Sequence, residues 1–159
     1  MLRVYLAGYI QGEVIDQCLA WRKRVREYYD HWKGKGKYPI VWLDPLNGEE
    51  ACELSPDGLH SALPTQAIVH KDYVCVEKAD LIVANMDRFG KSRQLTGTIC
   101  ELAWAWQLHK PIVMITKEEQ FRDHPFLKYF SSWTVETVDE LLEKKIINEF
   151  YKAWHSAQY

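Results

Sequence analysis

What the chain lacks narrows its class first. Its four cysteines (Cys18, Cys52, Cys75 and Cys100) are widely spaced and form no CxxC pair, so neither a zinc ribbon nor a disulfide scaffold is indicated. A reducing cytoplasm is the expected home of such thiols. No apolar run approaches the roughly 20 residues that span a bilayer. The opening MLRVYLAGYI carries one charged side chain and enters a strand pattern at once, so it is not expected to act as a signal peptide. Neither sign of charge dominates: 20 Lys and Arg stand against 22 Asp and Glu, a net charge of −2. Neither nucleic acid nor an acidic membrane is therefore expected as a partner. The six histidines show no ligand spacing, and no metal is expected. GxxxxGK[ST], HExxH, GxSxG and a GxGxxG after the first strand are all missing, which leaves no motif for a phosphate loop or a dinucleotide cofactor. No cofactor is expected.

What is present is a well-provisioned core. Hydrophobic residues make up 47% and aromatics 13% of the 159, which excludes a disordered chain. A chain of this length fits a single domain and buries about 70% of its unfolded surface. Strand and helix patterns alternate. Leu2 to Ala7 is apolar and extended, ending at Gly8. Residues 13–32 show helical spacing, with Val14, Cys18, Trp21, Val25 and Tyr28 on one side and Arg22 and Arg26 among the polar positions. Pro39 to Leu43 is a short apolar run closed by Asp44 and Pro45. Residues 47–64 hold Gly, Pro, Asn and Ser and read as one long loop. Helical spacing returns over 65–79, LIVAN at 81–85 reads as a strand covered on both faces, and 98–109 is helical. Residues 111–115 and 133–135 read as strands, and 138–154 as a final helix. Alternating short strands and helices imply an α/β fold, a doubly wound five-stranded parallel sheet in a single domain.

In such sheets ligands bind beyond the carboxyl ends of the strands. The residues there are Gly8 and Tyr9, Asp44, and 85–87, with Glu101 early in the next helix. Each carboxylate has two readings. Thr98 and Glu101 match a capping box. Alternatively, Glu101 is a fixed carboxylate at a helix N-terminus, kept ionised by the helix dipole and suited to attack an electrophilic sugar carbon. Gly97 would let a ligand approach the backbone. Asp72 interrupts an apolar stripe of Ile68, Cys75 and Ala79. It is either a helix-edge aspartate or a buried acid fit to protonate a leaving group. Asp87 is either a turn residue or a sugar-hydroxyl contact. Asp44, before proline, shapes its turn or meets the ligand. Lys91, Ser92 and Arg93 form a solvated loop tip or a phosphate contact.

VYLAGYI, the helix carrying Lys71 and Asp72, ADLIVANMD and Gly97-Thr98-x-x-Glu101 occur in this order. Together they resemble the nucleoside 2-deoxyribosyltransferase family, from Val4 to about Thr116. The resemblance implies a flavodoxin-like fold and the exchange of a base on 2'-deoxyribose by a retaining, two-step route. Glu101 would form a deoxyribosyl ester. Asp72 would protonate the departing base, Asp87 would hold sugar hydroxyls, and Tyr9 would line the base. The terminal Tyr159 either brings its carboxylate to the base pocket or belongs to a frayed tail. Family members reach an asparagine into a neighbouring subunit's site. The corresponding stretch here is RDHPFLKYF, where Asp123 or His124 would have to substitute. The implied partners are 2'-deoxynucleosides, free nucleobases and further copies of the chain in a homo-oligomer with shared sites. Two alternatives stand beside this reading. One is a nucleoside 5'-monophosphate N-glycosidase using the same Glu101, with the Lys91 cluster on the phosphate. The other is a non-catalytic nucleotide-binding module on the same fold.

Overall fold

The computed structural model describes residues 1–10, 15–30, 39–46, 53–55, 58–60, 63–92 and 94–157, with backbone alone for 15, 53–55 and 58–60. The elements in chain order are β1 (Leu2–Gly8), α1 (Ile15–Asp30), β2 (Ile40–Leu43), β3 (Glu53–Ser55), β4 (Gly58–His60), α2 (Thr65–Lys78), β5 (Leu81–Asn85), α3 (Thr96–Gln107), β6 (Ile112–Ile115), α4 (Glu119–Arg122), α5 (Pro125–Phe130), β7 (Trp133–Val135), α6 (Val138–Glu143) and α7 (Ile146–Ser156). Five strands form one sheet in the order β2-β1-β5-β6-β7, every pair parallel. The expected doubly wound sheet is therefore present. Its switch point lies between β1 and β5, whose following segments leave toward opposite faces.

Strand alternation divides the core. Leu2, Val4 and Leu6 of β1 face Trp21, Val25 and Tyr29 of α1 together with Leu141, Ile146 and Ile147 of α6 and α7. Tyr5, Ala7 and Tyr9 face the opposite layer, with Val76 of α2, Leu102 and Ala105 of α3 and Leu127 of α5. All five residues of β5 are buried, as expected of a strand covered on both faces. Of the two adjacent tyrosines of α1, Tyr29 and not Tyr28 is fully buried. Asp80 ties β5 to β1: it accepts the Arg3 N–H at 2.8 Å and pairs with its guanidinium.

Three expectations need correction. Residues 47–64 are not one loop, since β3 and β4 pair antiparallel within them. The final helix is two: α6 ends at Glu143, and Lys145 turns left-handed at φ 51° before α7 begins. The stretch after β6 folds into α4 and α5, which the sequence reading left unassigned. Among the described residues, no helix is long and apolar enough to cross a membrane.

Candidate active site

A cavity of about 390 Å³ opens at the carboxyl end of β1 and the start of α3, within the range of small-molecule sites. Three segments line it: Gly8 to Ile10 after β1, one side of α2 with Ile68, Val69 and Asp72, and 94–98 with Glu101 of α3. Of the expected site residues, Glu101, Asp72, Tyr9, Gly8 and Gly97 thus meet in one place. A Cβ on Gly97 would contact nothing within 4 Å, so the start of α3 is open to a ligand.

Gly8 is needed for a different reason. Its φ is +153°, and a Cβ there would lie 2.9 Å from the Asn85 carbonyl oxygen and 3.2 Å from Trp21. The backbone is wedged where β1 and β5 diverge, and only glycine fits without a shift.

Glu101 is buried beside the cavity. The capping box is not formed: α3 begins at Thr96, its cap residue Leu95 offers no side-chain bond, and Thr98 lies inside the helix. The Glu101 carboxylate instead accepts a hydrogen bond from the Tyr5 hydroxyl at 2.8 Å, across 96 residues of chain. Tyr5 was missed by sequence reasoning, although strand period places it on the same face as Ala7 and Tyr9. Burial pushes Glu101 up to about 8. The Tyr5 hydrogen bond opposes that shift, the Asp72 carboxylate adds to it, and the Arg22 charge opposes it. Desolvation thus works against the ionised form that the helix-terminus argument expects of Glu101. Tyr5 is itself held well above its usual range by burial and by the charges of Glu101 and Asp72, so it stays a donor.

Arg22 is the second missed residue. It is 0% exposed and donates from Nη2 to Gly8 O at 3.0 Å and from Nη1 to Cys18 O at 2.8 Å and Tyr9 O at 3.3 Å. The i,i+4 spacing from Cys18 placed it toward the core, but a charged residue there reads as solvent-facing.

The remaining expected residues lie elsewhere. Asp44 is buried away from the cavity: its carboxylate pairs with Arg22 Nε at 3.6 Å and Arg26 Nη2 at 3.0 Å and accepts the Leu46 N–H at 3.0 Å. It shapes its turn and carries two arginines. Asp87 lines a second cavity of about 290 Å³ with Asn85, Thr116 and Glu118, and its Oδ1 accepts the Phe89 N–H at 2.7 Å. Arg88 fastens that loop to Glu118 at 2.6 Å. Asp123 and His124 are exposed and line neither cavity. Tyr159 and Arg93 lie outside the described residues. Among the described residues, no cluster of three or more His, Cys, Asp and Glu could hold a metal.

The family model described as Nucleoside 2-deoxyribosyltransferase matches residues 4–144 of the chain. Among solved structures, a 2-desoxiribosyltransferase from Leishmania mexicana is similar at a TM-score of 0.50 and 21% identity. The match covers 74% of this chain and 66% of that one, so this chain spans just under two thirds of its length. A CMP N-glycosidase, BcmB, from Clostridium botulinum is similar at a TM-score of 0.54 and 19% identity, over 91% of this chain and 98% of that one. These likenesses concern the fold. No curated protein matches the chain.

Proposed function

Because the chain belongs to the nucleoside 2-deoxyribosyltransferase family, we propose that it exchanges the base of 2'-deoxyribonucleosides through a covalent ester on Glu101, in nucleotide salvage. Membership supports chemistry at the N-glycosidic bond of a nucleoside. The observation that carries the finer reading is the Glu101 carboxylate, buried and held by Tyr5 at 2.8 Å, in one cavity with Asp72.

In the first step a Glu101 oxygen bonds to C1' of the sugar as the C1'–N bond breaks. The bonding electrons leave with the base, which takes a proton from Asp72. In the second step an incoming base attacks C1', its proton passes to Asp72, and the ester C–O bond breaks. This is the retaining scheme of two carboxyl groups around an oxocarbenium-like transition state, with a base in place of water. The burial that raises Glu101 also suits it to this role. A poorly solvated carboxylate is a stronger nucleophile, and esterification removes its buried charge. Tyr5 supplies a hydrogen bond to the charged form. The productive arrangement has Glu101 ionised and the transferable proton on Asp72.

Among the described lining residues, Asp72 and Glu101 are the acidic side chains and none is basic. That supports a neutral nucleoside over a phosphorylated one, since a phosphate dianion would meet no cation there. The loop with Lys91, Ser92 and Arg93 adjoins Gln94 of the cavity and favours the second reading, hydrolysis of a nucleoside monophosphate. Tyr9 would line the base, and Asp87, which lines the second cavity, would meet sugar hydroxyls. Self-association belongs to the proposal. Trp106, Phe126 and Tyr129 stand 45%, 67% and 74% exposed and form one ring cluster with Phe130, the kind of aromatic surface enriched at subunit interfaces. Asp123 and His124 adjoin that cluster in sequence.

The test is chromatographic: purified protein, a 2'-deoxynucleoside donor and a different free base. A new deoxynucleoside supports the transferase. Free base without a new nucleoside, and faster from a 5'-monophosphate, supports the hydrolase. No turnover with either, alongside measurable binding, contradicts both.

A further inference from the structure

Arg22 sits within α1, one turn after Cys18, with no surface in solvent. A guanidinium taken wholly out of water is costly unless its donors are engaged. Two of its acceptors are the carbonyls of Gly8 and Tyr9, where β1 ends and its ladder to β5 stops. Both residues line the cavity with Glu101 and Asp72, and Arg22 itself does not. Behind it stands Asp44, equally buried, 3.6 Å from Nε. A hydrophobic side chain would fill this place in the core without the desolvation cost. The arginine adds to simple packing a grip on the cavity wall and a buried positive charge.

We propose that Arg22 is a positioning residue for the reaction at Glu101: braced by Asp44, it fixes the Gly8–Tyr9 wall of the cavity and sets a buried positive charge against that wall. The proposal rests on Glu101 being that carboxylate. Tyr5 of β1 contacts Glu101, and Asp72 and Cys75 of α2 and Arg22 of α1 interact with it electrostatically. Arg22 is the cation among them, and its charge favours the ionised form of Glu101.

The experiment compares Arg22→Met and Arg22→Lys with the wild-type full chain, each checked for folding by near-ultraviolet circular dichroism. One readout needs no substrate: the carbon-13 titration of the Glu101 carboxyl, assigned with Glu101→Gln. The other is kcat and KM for base exchange between a 2'-deoxynucleoside and a different free base, between pH 5 and 10. Arg22→Met should raise the Glu101 midpoint by about one pH unit and lower kcat/KM at pH 7 by about 100-fold. Arg22→Lys should keep the midpoint but raise KM several-fold, since one ammonium cannot grip three carbonyls as a planar fork does. A folded Arg22→Met with an unmoved midpoint overturns the proposal, as does one with unchanged kcat/KM. Should that variant not fold, Arg22→Lys decides: unchanged kinetics overturn the proposal, and a raised KM with an unmoved midpoint supports it. If the wild type neither exchanges nor releases base with any nucleoside, the reading of Glu101 as the reacting carboxylate fails and the proposal falls with it; where the wild type turns over, the Arg22 variants overturn the proposal alone.

Discussion

Replacing Glu101 by Gln should stabilise the protein, and by an amount that grows with pH. In the folded chain burial holds the Glu101 carboxyl up to about 8, against an ordinary value of 4.5. Between those values the folded state keeps a proton that the unfolded state has released. Stability therefore falls as pH rises through this window, by up to about 1.4 kcal/mol per pH unit. By pH 8 to 9 the accumulated loss is roughly 3–5 kcal/mol. Glutamine has nearly the same shape, can still accept the Tyr5 hydrogen bond, and does not titrate. Wild type and Glu101→Gln should be about equally stable near pH 4.5. At pH 9 the variant should be the more stable, with a urea midpoint roughly 1.5–2 M higher. Urea unfolding followed by tryptophan fluorescence at pH 4.5, 7 and 9 reads this directly. A constant difference at all three values, or a less stable variant at pH 9, would show that the carboxylate is ionised and stabilised in the fold. The account of its burial would then be wrong.

Other outcomes follow from the same geometry. Tyr5→Phe removes the hydrogen bond to the charged form of Glu101, so kcat/KM should drop about 10- to 100-fold, and its acid limb should move to higher pH. Asp72→Asn should lower kcat by about 10²- to 10⁴-fold for bases that need protonation to depart. It should spare donors with intrinsically good leaving groups and move the Glu101 titration to lower pH by removing the neighbouring charge. Gly8→Ala should cost about 2–3 kcal/mol in unfolding free energy, because the added methyl meets a backbone carbonyl and not a flexible side chain. Tyr129→Glu should shift the sedimentation profile toward a smaller species at micromolar concentration if the aromatic cluster on α3 and α5 is an interface.

The sheet was legible in the sequence because its strands are doubly covered and therefore read as apolar runs, as LIVAN at 81–85 does. The cavity was legible for the same reason: strand ends locate it once the sheet is known, and Gly8, Tyr9, Asp72, Gly97 and Glu101 all line it. What stayed hidden depends on contacts between distant segments. The partner of Glu101 lies 96 residues away, so local spacing suggested a capping box. Asp44 read as a possible ligand group, and only the fold reveals that Arg22 and Arg26 occupy it. The direction of the Glu101 shift depends on burial, which a helix-terminus argument does not include. The break at Lys145 was hidden because its residue type gives no sign of the left-handed turn it adopts.

The most direct test of the central claim is a trapped intermediate. The wild-type protein is incubated with a 2'-deoxy-2'-fluoronucleoside, digested, and mapped by mass spectrometry. The account predicts one added fluorodeoxyribosyl group on the peptide carrying Glu101, absent from Glu101→Gln. An adduct on another residue, or base release with no adduct at any time, would contradict it.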